Sequence, residues 1–191
     1  MRLGDLLVKM ACYTCSGDDG TTSIIGRCNI EKDDARIEVL GCFDELNAVV
    51  GVVETFSGSE EATSLLKTVQ DDIHTICAEI AAAIDNMPRI TEKHVERIEK
   101  IIDDAERFLE PQRSFIFPGG NKEAALLHLA RTVSRRAERQ LVRLAKTEAV
   151  NPFLLKYANR LSSLFHVMAR VENKKGNVKE EKPTYKYYNR D

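Results

Sequence analysis

The chain has no tryptophan, five prolines and ten glycines in 191 residues, and its aromatic content is only 6%. Collagen-like and Pro/Gly-rich low-complexity architectures are thereby excluded, and any core has to be built mainly from aliphatic side chains. No apolar run approaches the roughly 18 residues that a bilayer span requires. An excess of one charge is missing too. Lys plus Arg number 28 against 30 Asp plus Glu, a formal net charge of −2, which gives no electrostatic reason to expect a nucleic acid or a membrane surface as partner. The first residues, MRLGDLLVKMACYT, carry neither a long apolar segment nor a secretory cleavage signature. Five cysteines, an odd number, argue against a disulfide framework and for a reducing, cytoplasmic compartment. Cys12 and Cys15 form a single C-x-x-C. With no second pair or C-x-x-H to complete a zinc site, they read as incidental thiols.

What is present is helical periodicity. A hydrophobic share of 43% and a charged share of 30% suit one ordinary globular domain with a sizeable core. Residues 14–34 are rich in Gly, Asp, Thr and Ser, show no helical period and read as a loop. From about residue 36 apolar side chains recur at steps of three and four. Val39, Phe43, Leu46, Val50 and Val53 mark a first helix over about 36–57. Leu65, Leu66, Val69, Ile73, Ile76 and Ile80 mark a second over about 60–84. After a turn at Asp85–Pro88, Thr91 is an N-cap for a third helix over about 92–109. PQRSFIFPGG is a short extended stretch. Asn121 caps a fourth helix over about 122–146, and a fifth follows Asn151-Pro152 over about 153–173. The expected organisation is an N-terminal extension (1–13), an all-α five-helix bundle with an N-terminal loop (14–173) and a charged, Tyr-rich tail (174–191), ordered only where it docks.

Three features have chemical potential. In the loop TCSGDDGTTSIIG, Gly17 and Gly20 permit close backbone approach, and Thr14, Ser16, Thr21, Thr22 and Ser23 supply hydroxyls. Such a loop can cradle phosphates, although it lacks the G-K-[ST] of a Walker loop, and a plain surface loop is the competing reading. The fourth helix carries Arg131, Arg135, Arg136, Arg139 and Arg143 with only Glu138 among them. At 100° per residue Arg131, Arg135 and Glu138 fall within an arc of about 60°, opposite Val133, Ala137 and Leu144. Arginine is the residue for bidentate phosphate recognition, but a solvated basic face has the same pattern. On the fifth helix Asn159, Ser163, His166, Arg170 and Asn173 form a narrow polar stripe, suited to a cleft between helices or to a solvent edge. A lone histidine such as His166 is more often structurally satisfied than a ligand. On the first helix Asp44 sits among Ile37, Leu40, Gly41, Ala48 and Gly51, so a buried Asp44 requires a cationic partner.

Taken together, SGDDGTTSIIG, DDARIEVLGCFDELNAVVG, FIFPGG, ALLHLARTVSRRAERQLVRL and NRLSSLFHVMARVEN resemble, in this order and from about Thr14 to Asn173, the PduO-type ATP:cob(I)alamin adenosyltransferases. R-x-x-x-R-R-A-E-R is the most specific block. The resemblance implies a homotrimer with active sites between subunits. ATP lies against the N-terminal loop with Mg²⁺ on its phosphates, and cobalamin is the second substrate. No metal-binding side chains are assigned. By this likeness Thr14, Ser16, Gly17, Asp18, Gly20 and Thr22 belong to the nucleotide loop. Arg131 and Arg135 match the arginines near the triphosphate, and Glu138 matches the acid that helps hold the nucleotide. Asp44 matches the acid that pairs with Arg131 across the subunit contact. Phe115 matches the aromatic that crowds the lower corrin face, and Asn159 serves the same cleft, with Ser163 and His166 on the corrinoid side. A reductase and an adenosylcobalamin-dependent client enzyme are the implied protein partners. Three positions depart from the family pattern: Ser163 stands where Asp is usual, and Cys15 and Asp19 stand where basic residues are usual. The lost positive charges are expected to weaken ATP binding. A nucleotide or corrinoid sensor on the same bundle is the competing functional reading.

Overall fold

The computed structural model describes residues 13, 15–82 and 87–184. A β-hairpin, β1 (Thr21–Ile24) and β2 (Arg27–Glu31), precedes five helices: α1 (Ala35–Phe56), α2 (Glu60–Ala81), α3 (Glu92–Phe108), α4 (Lys122–Leu144) and α5 (Pro152–Lys175). The helices fall within a few residues of the boundaries their periodicity predicts. The hairpin corrects the expectation of an irregular loop. Thr21 pairs with Glu31 and Thr22 with Ile30 across an antiparallel ladder. Gly26, at φ +82°, makes the reversal that a side chain would strain.

Helix starts follow from local polar chemistry. The Asp34 carboxylate accepts from Arg36 N at 2.8 Å, Asn121 Oδ1 from Ala124 N at 2.8 Å and Asn151 Oδ1 from Phe153 N at 3.0 Å. Each satisfies an amide that the first turn leaves without a helical partner. At α3 the Thr91 amide donates to His94 Nδ1 at 3.1 Å, so a histidine takes the back-bonding role that Glu or Gln usually fills.

α4 packs on both α1 and α5, with α2 flanking α1 and α3 flanking α5. Phe43, Leu46, Val50, Leu66, Ile73, Ile76, Leu127, Leu141, Leu161 and Phe165 are fully buried between them. One polar cluster crosses this core. Asp72 on α2 accepts from both Arg97 on α3 and the Tyr157 hydroxyl on α5. Burial and the Asp72 charge push the Tyr157 hydroxyl well above its ordinary pKa, so it stays a donor. Among the described residues no helix is long and apolar enough to cross a membrane.

The segment between α3 and α4 is pinned from α5. Asn173, buried at the end of that helix, donates to Gly119 O at 3.1 Å and accepts from Asn121 N at 3.1 Å. Gly120 lies at φ +116°, and a Cβ there would sit 1.8 Å from Asn173 Oδ1. The first part of the tail docks on the same segment. Phe117 N donates to Glu181 O at 2.8 Å, and Arg170 pairs with Glu180 at 3.2 Å. Residues 185–191 of the expected tail, and Asp85 and Asn86 of the expected turn, lie outside the described residues.

Candidate functional site

A cleft of about 380 Å³ opens where the 112–118 segment crosses α4 and α5. One wall is Phe115, Ile116 and Pro118; the floor is His128, Arg131 and Arg135 from α4; Ser162, Ser163, His166 and Val167 of α5 close it. Five residues singled out in the sequence, Phe115, Arg131, Arg135, Ser163 and His166, therefore line one cavity. Phe115 is 76% exposed, a large apolar surface presented to solvent that a second hydrophobic body can cover.

The electrostatics of the cleft favour an anion. Arg131 is half-buried, and its Nε has no hydrogen-bond partner. Burial, and then the neighbouring Arg135 charge, depress its pKa. Both forces are relieved by a negatively charged ligand. Arg135 is exposed one turn further on. Glu106 at the rim is the acid among the described lining residues. Ser163 adds an uncharged hydroxyl to the same lining.

Glu138 and Asn159 stand beside the cleft and are not among the residues that line it. Asn159 Nδ2 donates to Glu138 Oε1 at 2.7 Å, and its Oδ1 accepts from Arg160 at 2.6 Å. Arg160 is held in turn by Glu99 at 2.8 Å. These bonds fix the Glu138 carboxylate on the arginine face of α4.

Asp44 is not brought to Arg131 within the chain. It is exposed on α1 on the side of α2, close enough to help raise the Cys77 thiol, whose pKa is pushed to about 11 by burial first and the Asp44 charge second. The neighbouring Glu45 reaches α4 instead and pairs with Arg136.

The N-terminal loop is stitched to itself. Asp19 Oδ1 accepts from Thr21 N at 3.0 Å and from Thr21 Oγ1 at 2.8 Å. These bonds hold the Asp19 carboxyl below the usual carboxylate range. Lys32 N donates to Gly20 O at 2.9 Å, and Lys32 Nζ donates to Gly17 O at 2.6 Å. Gly17, Asp18 and Gly20 thus precede the hairpin, Thr22 lies within its ladder, and Ser16 is exposed in the same loop. Thr14 and Cys12 lie outside the described residues. Lys32 thereby brings a positive charge against the loop at Gly17. Sequence reasoning missed it because the hairpin that carries Lys32 back to Gly17 was not foreseen.

Gln112 and His128 are among the lining residues that went unnoticed. Gln112 Oε1 accepts from His166 Nε2 at 2.8 Å, which fixes the His166 tautomer. His128, 3% exposed, lies with its ring centroid 5.9 Å from that of His166. A polar residue amid the apolar positions Ala124, Leu127 and Ala130 was the available signal.

The chain is thus a five-helix bundle preceded by a glycine-bearing hairpin loop, with a cleft lined by Phe115, Arg131 and Arg135. The profile of the cobalamin adenosyltransferase family matches residues 12–172, and the chain belongs to that family. It is 38% identical over 168 residues to the corrinoid adenosyltransferase PduO of Salmonella typhimurium, a match that takes in 86% of this chain and 50% of that protein. The chain thus spans about half the length of that relative. With the corrinoid adenosyltransferase of Bacillus subtilis identity is 37% over 174 residues, covering 88% of this chain and 90% of that protein. The fold matches a phenylalanine-to-histidine variant of the PduO-type ATP:corrinoid adenosyltransferase from Lactobacillus reuteri, solved with cobalamin and ATP. The TM-score is 0.87 and the identity 31%, over 92% of this chain and 97% of that one. An arginine-to-lysine variant of the same protein, complexed with ATP, matches with a TM-score of 0.84 and 33% identity.

Proposed function

We propose that the protein transfers the 5′-deoxyadenosyl group of ATP to the cobalt of a reduced corrinoid in the cytoplasm, releasing triphosphate. The observation that carries the reading is the placement of Phe115 and of Arg131 and Arg135 on the walls of one cleft. Cob(I)alamin is itself the nucleophile. Its electron pair forms the Co–C5′ bond while the C5′–O bond breaks and its pair leaves on the triphosphate. No general base is required, so the tasks of the chain are alignment and stabilisation of the departing charge. Arg131 and Arg135 face the triphosphate, with Glu138 beside them to hold the nucleotide. Phe115 covers the lower corrin face and excludes water and an axial ligand, with Asn159, Ser163 and His166 at the same side of the cleft.

Mg²⁺ fits this arrangement as a companion of the nucleotide. Among the described residues no cluster of three or more His, Cys, Asp or Glu side chains converges. An ion that keeps its waters and prefers phosphate oxygens needs no such cluster. It would supply charge neutralisation on the triphosphate.

We further propose that the active unit is a homotrimer in which the loop of one subunit, with Gly17, Asp18, Gly20 and Thr22, reaches the α4 arginines of another, and Asp44 pairs with Arg131 across that contact. Three observations support this. Asp44 is exposed on α1, the loop bonds to itself, and α1 and α4 share an apolar outer face. The bonds Glu45–Arg136 and Gly58–Glu123 make those helices antiparallel. Exposed Val52 and Phe56 therefore lie alongside exposed Leu129 and Ala125, a patch suited to burial against another subunit. A reductase that delivers cob(I)alamin and a client enzyme that consumes the product complete the reaction sequence.

The test supplies the protein with ATP, Mg²⁺ and chemically reduced cobalamin. The adenosylcobalamin spectrum should appear together with equimolar triphosphate. Binding of both ligands without product would overturn the reading in favour of a sensor.

A further inference from the structure

We propose that Gln112 is a positioning residue of the reaction: it relays the hold of α5 to the backbone beside Phe115 and so fixes the ring that covers the lower corrin face. This rests on the adenosyltransferase reading and assigns the fixing of Phe115 to a side chain that the reading itself does not use.

Phe115 is 76% exposed, so packing within the chain does not hold its ring. Its place has to come from the backbone that carries it. Among the described residues no backbone-to-backbone hydrogen bond involves residues 111–116. Side chains of α5 take over this task in order. Lys174 Nζ donates to Phe108 O. One turn earlier on the helix, Arg170 Nη2 donates to Glu110 O at 3.0 Å. One turn earlier again, His166 Nε2 meets Gln112 Oε1 at 2.8 Å, and Gln112 Nε2 donates to Ser114 O at 2.8 Å. The polar stripe of α5 is thus a rail that runs against the direction of the segment and takes its carbonyls at 108, 110 and 114. The last of these immediately precedes Phe115, and α5 reaches it through Gln112. The two side chains also stand together, since both line the cleft and the adjoining hollow formed with Arg113, Ser114 and Pro183.

The link has one chemical orientation. A backbone carbonyl only accepts, so the Gln112 amide nitrogen faces Ser114 and its oxygen faces His166. His166 Nε2 then has to carry the ring proton. Burial, then Arg131 and Arg170, hold the His166 ring below its ordinary pKa. At neutral pH the ring is therefore uncharged, and the bond to Gln112 chooses between its two tautomers. A ring held about 1 Å too loosely over the cobalt would lose much of its effect. Gln112 thus acts on the corrinoid through Phe115, while Arg131 and Arg135 serve the triphosphate.

The experiment compares wild type with Gln112→Met, Gln112→Glu, Phe115→Ala and the double variant Gln112→Met, Phe115→Ala. Methionine keeps the length of the side chain and loses both bonds; glutamate keeps the acceptor for His166 and loses the donor to Ser114. Three readouts are taken: the ¹⁵N resonances of the His166 ring, the spectrum of bound cob(II)alamin in the presence of ATP, and KM for ATP. Wild type should show His166 protonated at Nε2, Gln112→Glu should keep that state, and Gln112→Met should show a mixture. In both Gln112 variants the ratio of cob(II)alamin without an axial ligand to cob(II)alamin with one should fall about fivefold, equivalent to about 1 kcal/mol or one ordinary hydrogen bond. The ATP KM should stay within about twofold, and the urea midpoint should match wild type because Gln112 is exposed. The double variant should be no worse than Phe115→Ala alone, since a residue that acts through the ring has nothing to hold once the ring is gone. A wild-type cob(II) spectrum in Gln112→Met would overturn the proposal. So would a further loss in the double variant equal to that of the single one, which would make Gln112 a direct contact of the substrate. Failure of the wild type to make adenosylcobalamin would refute the enzymatic reading separately, because the tautomer and cob(II) readouts need no turnover.

Discussion

Substituting Gly120 by alanine perturbs one point from which several parts of the site hang. The added Cβ would lie 1.8 Å from Asn173 Oδ1 and 2.4 Å from its Cγ, so the Asn173 side chain has to leave. With it go the bonds to Gly119 O and from Asn121 N, both 3.1 Å. Two hydrogen bonds to backbone are worth about 1 kcal/mol each, and holding a non-glycine residue at φ +116° costs roughly 1–3 kcal/mol more. The expected loss is about 3–5 kcal/mol in urea unfolding at constant m-value. Asn121 N opens α4 and Gly119 closes the segment that carries Phe115, so the corrinoid KM should rise more than the ATP KM. The Gly120→Ala, Asn173→Ala double variant separates clash from strain. With the amide gone the second substitution is tolerated better, and the cycle should show a coupling of about 1–2 kcal/mol. A loss below about 1 kcal/mol, or additivity of the two changes, would refute this account of the anchor.

The other predictions concern the core, the charges and the cleft. Tyr157→Phe should cost about 1–2 kcal/mol, because Asp72 loses a buried donor; a urea midpoint identical to wild type would contradict it. His128 has a folded pKa near 4 against an ordinary 6.5, so the unfolded chain binds more protons between those values. Its contribution to stability is complete above about pH 6.5 and falls as the pH drops toward 4, by at most about 3 kcal/mol at roughly 1.4 kcal/mol per pKa unit. The stability difference between wild type and His128→Leu should move by that amount, and a difference flat in pH would count against the buried neutral ring. Arg135→Ala should lower kcat at least about tenfold at saturating ATP by removing charge from the leaving triphosphate; wild-type turnover would remove Arg135 from the mechanism. Phe115→Ala should alter the cob(II)alamin spectrum of the bound substrate while sparing the ATP KM, and an unchanged spectrum would contradict its place on the corrin face.

The helices were legible because each buries one stripe, so the three- and four-residue recurrence of Leu, Ile and Val reports both type and extent. N-caps were legible where Asn or Thr precedes such a stripe. The hairpin was not, because its strands are four and five residues long and only Ile30 is buried. Without a covered face there is no alternation to read. The run Thr21–Ile25 between Gly20 and Gly26 was a β-branched signal of the right kind, outweighed by the density of Gly, Asp and Ser around it. Within the cleft the arginines and Phe115 were legible by residue type. His128 was not, since a histidine in a buried helical register looks like one more core position until its unpaired nitrogens are seen. Asp44 illustrates a different limit. Its side chain faces away from Arg131 within one chain, and the spacing of a sequence carries no information about a neighbouring copy.

Chains carrying Arg135→Ala and chains carrying Gly20→Val, at a position held at φ +90°, supply the most direct test of a site shared between subunits. Each variant alone should be nearly inactive. Co-assembled, they should recover adenosylcobalamin formation, because some sites then combine an intact α4 with an intact loop from another chain. Mixed assemblies that form and yet show no more activity than the two parents together would contradict the shared site.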